Sequence, residues 1–186
     1  MKELIIIAGA NGSGKTTVAN KILENKNFEF LNADEIEKSL ENNIKSPLKA
    51  GRIFFQKFNQ YIEENKSFII ETTLSGNYLL KFITQLKKKR YKITLIFVFL
   101  ESPLVCIDRI KIRVKKGGHN VPDDDVKRRY YRGKENFWNE YKSKVNDWYL
   151  FYNSNQNPER VAFGSGRTFI VENEKLLQYI LKDFKI

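Results

Sequence analysis

Residues 9–16, Gly9-Ala10-Asn11-Gly12-Ser13-Gly14-Lys15-Thr16, constrain this chain more than any other segment. They satisfy the pattern G-x-x-x-x-G-K-[ST] at every fixed position. Gly9, Gly12 and Gly14 permit backbone conformations that turn successive N–H groups inward, toward the oxygens of a phosphate. Lys15 supplies a cation for the β- and γ-phosphates, and the Thr16 hydroxyl is placed to ligate Mg²⁺. The surroundings agree. Residues 4–8 before the loop form an unbroken apolar run, as in a strand buried on both faces. An amphipathic helix is expected over 15–24, with Val18, Ile22 and Leu23 inward, and its positive dipole end adds to the cradle. The expected contacts of a nucleoside triphosphate are Gly9, Ala10, Asn11, Gly12, Ser13, Gly14, Lys15, Thr16 and Thr17. ATP and Mg²⁺ are the expected cosubstrate and metal.

Downstream, short apolar runs alternate with amphipathic stretches, the pattern of an α/β domain with a mostly parallel sheet and helices on both faces. Strands are expected at 28–31, 68–70, 92–100, 148–152, 161–163 and 168–171. Helices are expected at 47–64, 76–90, from Pro103 onward, 123–146 and 174–184. Asp34, with Glu37 three residues on, reads as the cap of a short helix after the second strand. Tyr130, Phe137, Trp138 and Tyr141 form a stripe whose spacing suits packing on the sheet better than stacking on bases. No repeat, low-complexity tract or linker divides the chain, so a single three-layer P-loop domain over 1–186 is expected.

A P-loop says what is bound and leaves open what attacks it: water would make an NTPase, a substrate hydroxyl a kinase. Asp34 follows a strand whose C-terminal end faces the phosphates, where a carboxylate can take a hydroxyl proton. Glu71 ends the third strand, placed to hold Mg²⁺ through water or the acceptor's hydroxyls, with Thr72 and Thr73 as further hydroxyls beside it. Arg109 and Arg113 lie four apart on one helix, and Arg128, Arg129 and Arg132 follow a loop carrying Gly117 and Gly118. Two helices around a Gly-Gly turn suggest a helical lid over about 109–132, whose arginines can stabilise a transferring phosphoryl group. His119, near that turn, can serve substrate, phosphate or its own loop.

Bulk properties narrow the class. The net charge of +11 calls for anionic partners, but the basic residues are mainly scattered lysines, 24 Lys to nine Arg, which is the composition of a solvated surface. No basic-aromatic tract accompanies them, so a nucleic-acid-binding or -processing NTPase is the alternative reading and not the first. Cys106 alone allows neither an internal disulfide nor a cysteine metal cage, and its apolar setting suggests burial. No apolar run reaches the roughly 20 residues of a membrane-spanning helix, and 1–8 is too short and acidic for a signal peptide. A cytoplasmic protein is expected.

The pieces AGANGSGKTT (8–17), NADEI (32–36), IIETTLSG (69–76) and RVKKGGHNVPDDDVKRRYYR (113–132) together resemble the zeta-toxin-like P-loop kinases, in their short bacterial branch. The resemblance implies a nucleoside-kinase-type sheet ordered 2-3-1-4-5. It implies ATP-dependent phosphorylation of a sugar hydroxyl on UDP-N-acetylglucosamine or a related nucleotide sugar. By position, Asp34 would be the general base, Glu71 and Thr73 acceptor contacts, and Lys15, Arg113 and one arginine of the pair Arg128 and Arg129 phosphate ligands. It also implies a small antitoxin protein as partner. The chain is shorter than the larger toxins, and its C-terminal third has no matching piece.

Overall fold

Period-two alternation along the central strands produces two cores, one on each face of a single sheet. The computed structural model describes residues 1–40, 46–154 and 157–184. Strands β1 (Glu3–Ala8), β2 (Glu29–Asn32), β3 (Phe68–Thr72), β4 (Lys92–Phe99) and β5 (Asp147–Tyr152) run parallel in the order β2-β3-β1-β4-β5. This is the order that the resemblance implies. A hairpin of β6 (Glu159–Ser165) and β7 (Thr168–Val171) lengthens the sheet antiparallel at the β5 edge.

On one face Leu4, Ile6, Phe68, Ile70 and Phe97 pack against α3 (Pro47–Glu63), α4 (Tyr78–Lys88) and α7 (Glu174–Leu181). On the other, Ile5, Ile7, Ile69, Ile96 and Val98 pack against Val18, Ala19 and Ile22 of α1 (Lys15–Leu23). A third cluster joins Ala10 of the P-loop and Leu100 to Ile107 and Ile110 of α5 (Pro103–Lys115) and to Val126 and Tyr130 of α6 (Asp123–Glu135). The parallel register sets Ile7 and Asn32 on either side of Glu71 at the C-terminal edge. The P-loop, Glu71 and the start of α2 (Ala33–Ser39) therefore share one end of the sheet.

Three local expectations change. Asn32, not Asp34, caps α2: its backbone is extended, and its side chain accepts the Asp34 N–H at 2.8 Å. Asp34 thus lies inside the first turn with its carboxylate released from capping. Helix α4 is two residues shorter at each end than expected: before it Leu74 takes a left-handed φ of 56° and the chain is still turning at Gly76, and after it Arg90 takes a left-handed φ of 61°. The helix expected over 123–146 is regular only to Glu135. It widens into a π-helical turn, Asn136–Tyr141, before β5. The aromatic stripe faces the core, with Phe137 stacked on Phe97 at 4.7 Å and Tyr141 fully buried.

Two contacts seat α6. Lys134, 1% exposed, donates to the Tyr179 carbonyl and the Asp183 carboxylate, tying α6 to α7. Burial pulls its pKa down, and the hydrogen bond it donates to Asp183 opposes that pull. Gly133 lets the helix touch the end of β3: a Cβ there would lie 2.6 Å from the Thr73 carbonyl oxygen. Backbone cannot yield as a side chain can, so Gly133→Ala is expected to cost about 1–3 kcal/mol of stability, read by urea denaturation. Cys106 is fully buried beneath the P-loop, and burial pushes its thiol up to about 12. At pH 8 the folded protein should therefore leave a thiol-specific disulfide reagent unreacted, and denaturation should release one equivalent of thiol. Rapid labelling of the native protein would contradict this placement.

Candidate functional site

The loop between β1 and α1 has the backbone that its glycines permit. Gly9, Gly12 and Gly14 all have positive φ, at 142°, 84° and 95°. Space demands glycine as well. A Cβ would lie 2.1 Å from the Val98 carbonyl oxygen at Gly9, 2.4 Å from the Cys106 carbonyl oxygen at Gly12, and 2.1 Å from Asn153 Nδ2 at Gly14. Asn153, just past β5, is the neighbour that sequence reasoning missed. It is 3% exposed and donates to the Ser13 carbonyl at 2.8 Å, locking the loop to the sheet. Its position after a parallel strand's C-terminal end was the available signal. Among the described residues, Ser13 Oγ and Asn153 Oδ1 are buried without a hydrogen-bond partner.

Glu71 is the centre of the polar network. Its carboxylate accepts the Thr16 hydroxyl at 2.8 Å and the Asn32 side-chain amide at 3.0 Å, and lies 3.6 Å from Lys15 Nζ. Lys15 also donates to the Ala10 carbonyl at 2.9 Å. The ion pair is nearly buried, with side-chain exposures of 6% and 9%. Its charges are compensated by several hydrogen bonds, the condition under which burial of a pair is tolerated. Asn32 serves twice: its oxygen caps α2 while its nitrogen holds Glu71.

Two clefts meet at this network. One, of about 1080 Å³, is lined by Asn11, Gly12, Gly14, Lys15, Thr16 and Thr17 of the loop, with Arg109, Arg113 and Asn153, while Ser13 is buried behind them. The other, of about 480 Å³, is walled by Phe54, Phe55 and Tyr78 and floored by Thr72, Thr73 and Arg129. Asn11, Lys15, Asn32, Asp34 and Glu71 line both. This aromatic wall is a feature that sequence reasoning missed. Phe55 and Tyr78 meet edge-to-face at 5.4 Å, leaving Tyr78 43% exposed.

The arginines separate. Arg129 donates to Asn11 Oδ1 at 3.1 Å and lines the smaller cleft. Arg128 pairs with Asp125 at 2.6 Å, is 48% exposed, and lines neither cleft; Arg129 also lies 3.5 Å from the other Asp125 oxygen. A helix turns about 100° per residue, so adjacent arginines cannot face the same loop; of the expected pair, Arg129 is the one at the P-loop. Arg132 is exposed. Arg109 reaches the larger cleft, but its guanidinium is committed to the Asn153 carbonyl at 2.7 Å and to that of Ser154. Arg113 lines the larger cleft and donates to the His119 carbonyl at 2.7 Å. The glycine turn serves that contact: a Cβ on Gly118 would lie 2.5 Å from Arg113 Cγ, while Gly117 takes a φ of 82°. The His119 side chain is exposed and lines neither cleft, so its backbone rather than its imidazole takes part.

A family profile described as an AAA domain, AAA_33, matches residues 4–132. An uncharacterised protein of Haemophilus influenzae (strain ATCC 51907 / DSM 11121 / KW20 / Rd) is 31% identical over 132 residues, 69% of this chain and 92% of that one. A cytidylate kinase of Saccharolobus islandicus (strain L.S.2.15 / Lassen #1) is 27% identical over 160 residues, 80% of this chain and 78% of the other. Among solved structures, the AvrRxo1-ORF1:-ORF2 complex has a TM-score of 0.75 at 18% identity over 97% of this chain, which spans 63% of the chain it matches. The PezAT chromosomal toxin-antitoxin system of Streptococcus pneumoniae has a TM-score of 0.65 at 14% identity, covering 99% of this chain and 80% of that one. These structural likenesses speak for the fold. With the profile spanning the P-loop, Asp34, Glu71 and α5 through most of α6, the chain belongs to the AAA_33 family of AAA domains and has a P-loop kinase-like α/β fold.

Proposed function

We propose that this chain is an ATP-dependent phosphotransferase that moves the γ-phosphoryl group onto a hydroxyl of a small molecule, a nucleotide sugar of the UDP-N-acetylglucosamine type. The observation that carries the reading is Asp34. It lies at the seam of two clefts, one made of the P-loop and the other of aromatic and hydroxyl side chains. A water-activating NTPase has no need of the second cleft. A kinase needs a carboxylate where donor and acceptor meet.

In this reading the loop N–H groups and Lys15 hold the β- and γ-phosphates, with Arg113 on the open side of the larger cleft. The acceptor's ring lies against Phe55 and Tyr78, its hydroxyls toward Thr72 and Thr73. Asp34 takes the proton of the attacking hydroxyl as the new O–P bond forms and the bond to the β-phosphate oxygen breaks, releasing ADP. Arg129, beside the P-loop, balances charge on the transferring group. An oxygen-only donor set, the Thr16 hydroxyl with the Glu71 carboxylate behind it, suits Mg²⁺. That ion would neutralise phosphate charge when bound. The like-folded two-component systems make a small antitoxin-like protein covering the basic donor cleft part of the same reading. No helix among the described residues is long and apolar enough to cross a membrane.

The test is a metabolite pool containing nucleosides and UDP-sugars, incubated with ATP, Mg²⁺ and protein and read by mass spectrometry for a mass gain of one phosphoryl group. Asp34→Asn should slow product formation about 10²–10⁴-fold, the usual contribution of a general base, while a non-hydrolysable ATP analogue still binds. Lys15→Ala should weaken that binding. ATP hydrolysis with no phosphorylated acceptor, at an equal rate in Asp34→Asn, would sink the proposal.

A further inference from the structure

Helix α6 and the π-helical turn that continues it touch both clefts. At one end Arg129 Nη1 donates to Asn11 Oδ1 of the P-loop at 3.1 Å. About two turns on, roughly 10 Å along the axis, the same element holds the backbone of the segment 72–76, whose threonines floor the smaller cleft. Asn136 Nδ2 donates to the Leu74 carbonyl at 2.8 Å, and the Tyr141 hydroxyl donates to the Gly76 carbonyl at 2.8 Å. The Thr73 carbonyl abuts Gly133 too closely for any side chain. Three of the four carbonyls from 73 to 76 therefore rest on one helical element.

The segment needs that support. Leu74 has a left-handed φ of 56°, which costs a non-glycine residue about 1–2 kcal/mol. It is buried, and its N–H is held locally by Thr72 Oγ1 at 3.1 Å. The outward half of its peptide plane is fixed by Asn136 alone among the described side chains. Such strain persists where surrounding contacts over-determine it, and π-turns concentrate at such places. The helical backbone of α6 continues unbroken into residues 136–141, a path by which a rotation of α6 would reach them, with the Phe137–Phe97 stack as the bearing on β4.

We propose that Asn136 is a positioning residue that transmits occupation of the P-loop to the 72–76 segment of the acceptor cleft. Phosphate at the loop competes with Asn11 and Asp125 for Arg129, shifts α6, and through Asn136 settles the Leu74 peptide in its acceptor-ready form. By linkage, a filled acceptor cleft tightens nucleotide binding by the same factor. The inference rests on reading residues 9–16 as a nucleotide site; it does not depend on which acceptor is phosphorylated.

The test is amide hydrogen exchange over 72–77, with and without a non-hydrolysable ATP analogue and Mg²⁺. In the wild-type chain the analogue should slow exchange there at least about fivefold, the low end of ordinary coupling factors. Asn136→Asp keeps the shape and loses the donor. It should still bind the analogue, up to about the same fivefold more weakly by linkage, and at saturating analogue lose the protection at 72–77, and Asn136→Gln, which retains the amide, should recover part of both. Tyr141→Phe removes only the Gly76 bond and should reduce the response; it also serves if Asn136→Asp fails to fold. Binding of the analogue with unchanged exchange at 72–77 in the wild type overturns the inference alone, as does an undiminished response in the variants. Absence of analogue binding to the wild type overturns the nucleotide reading and this inference with it.

Discussion

The Glu71 carboxylate is the constraint on which the site depends. It sits at the end of a buried parallel strand, nearly out of solvent, and so must be paired. Its partners come from two separate segments: Lys15 and Thr16 from the P-loop helix, and Asn32 from the neighbouring strand. Pairing one charge thereby aligns β1, β2 and β3 at their C-terminal ends. The same bonds orient the hydroxyl and ammonium on which a phosphate site relies. The register of the sheet makes this possible, since Asn32 and Ile7 flank Glu71 across adjacent strands.

A second dependence runs through backbone rather than charge. Gly9, Gly12 and Gly14 are required because carbonyl oxygens and Asn153 fill the space where a Cβ would stand. The P-loop is thus a moulded surface between β4, α5 and the end of β5. Gly133 applies the same device between α6 and β3. Close approach of backbones lets one helix bear on both clefts. Arg109 and Asn153 show the cost: groups that could have met a ligand are spent on holding the loop.

The two clefts share five residues, and this shared floor connects architecture with chemistry. Asp34 reaches it because Asn32 takes over the capping of α2. Had Asp34 capped the helix, its carboxylate would have been turned toward backbone N–H groups. The aromatic wall of Phe54, Phe55 and Tyr78 gives the smaller cleft a surface for a ring, while hydroxyls and a carboxylate supply its polar floor.

The P-loop, the strand before it and the helix after it were legible in the residues themselves, because phosphate binding by backbone N–H groups demands glycine at fixed spacing. The parallel core was legible too, since strands buried on both faces must be continuously apolar. The family resemblance supplied the strand order that the sheet displays. What only the tertiary structure decided was orientation. Arg128 and Arg129 are equal in the sequence, and one step of helical rotation puts the second at the loop and leaves the first outside both clefts. In the sequence Asn32 stands out only as part of the NADEI piece and Asn153 not at all, because strand register and chain crossing are what bring them to Glu71 and Ser13. The bonds of the π-helical turn were invisible for the same reason: Asn136 and Tyr141 donate to carbonyls at Leu74 and Gly76, 62 and 65 residues away in the chain. Local sequence sets which groups can bond, and long-range packing sets which of them do.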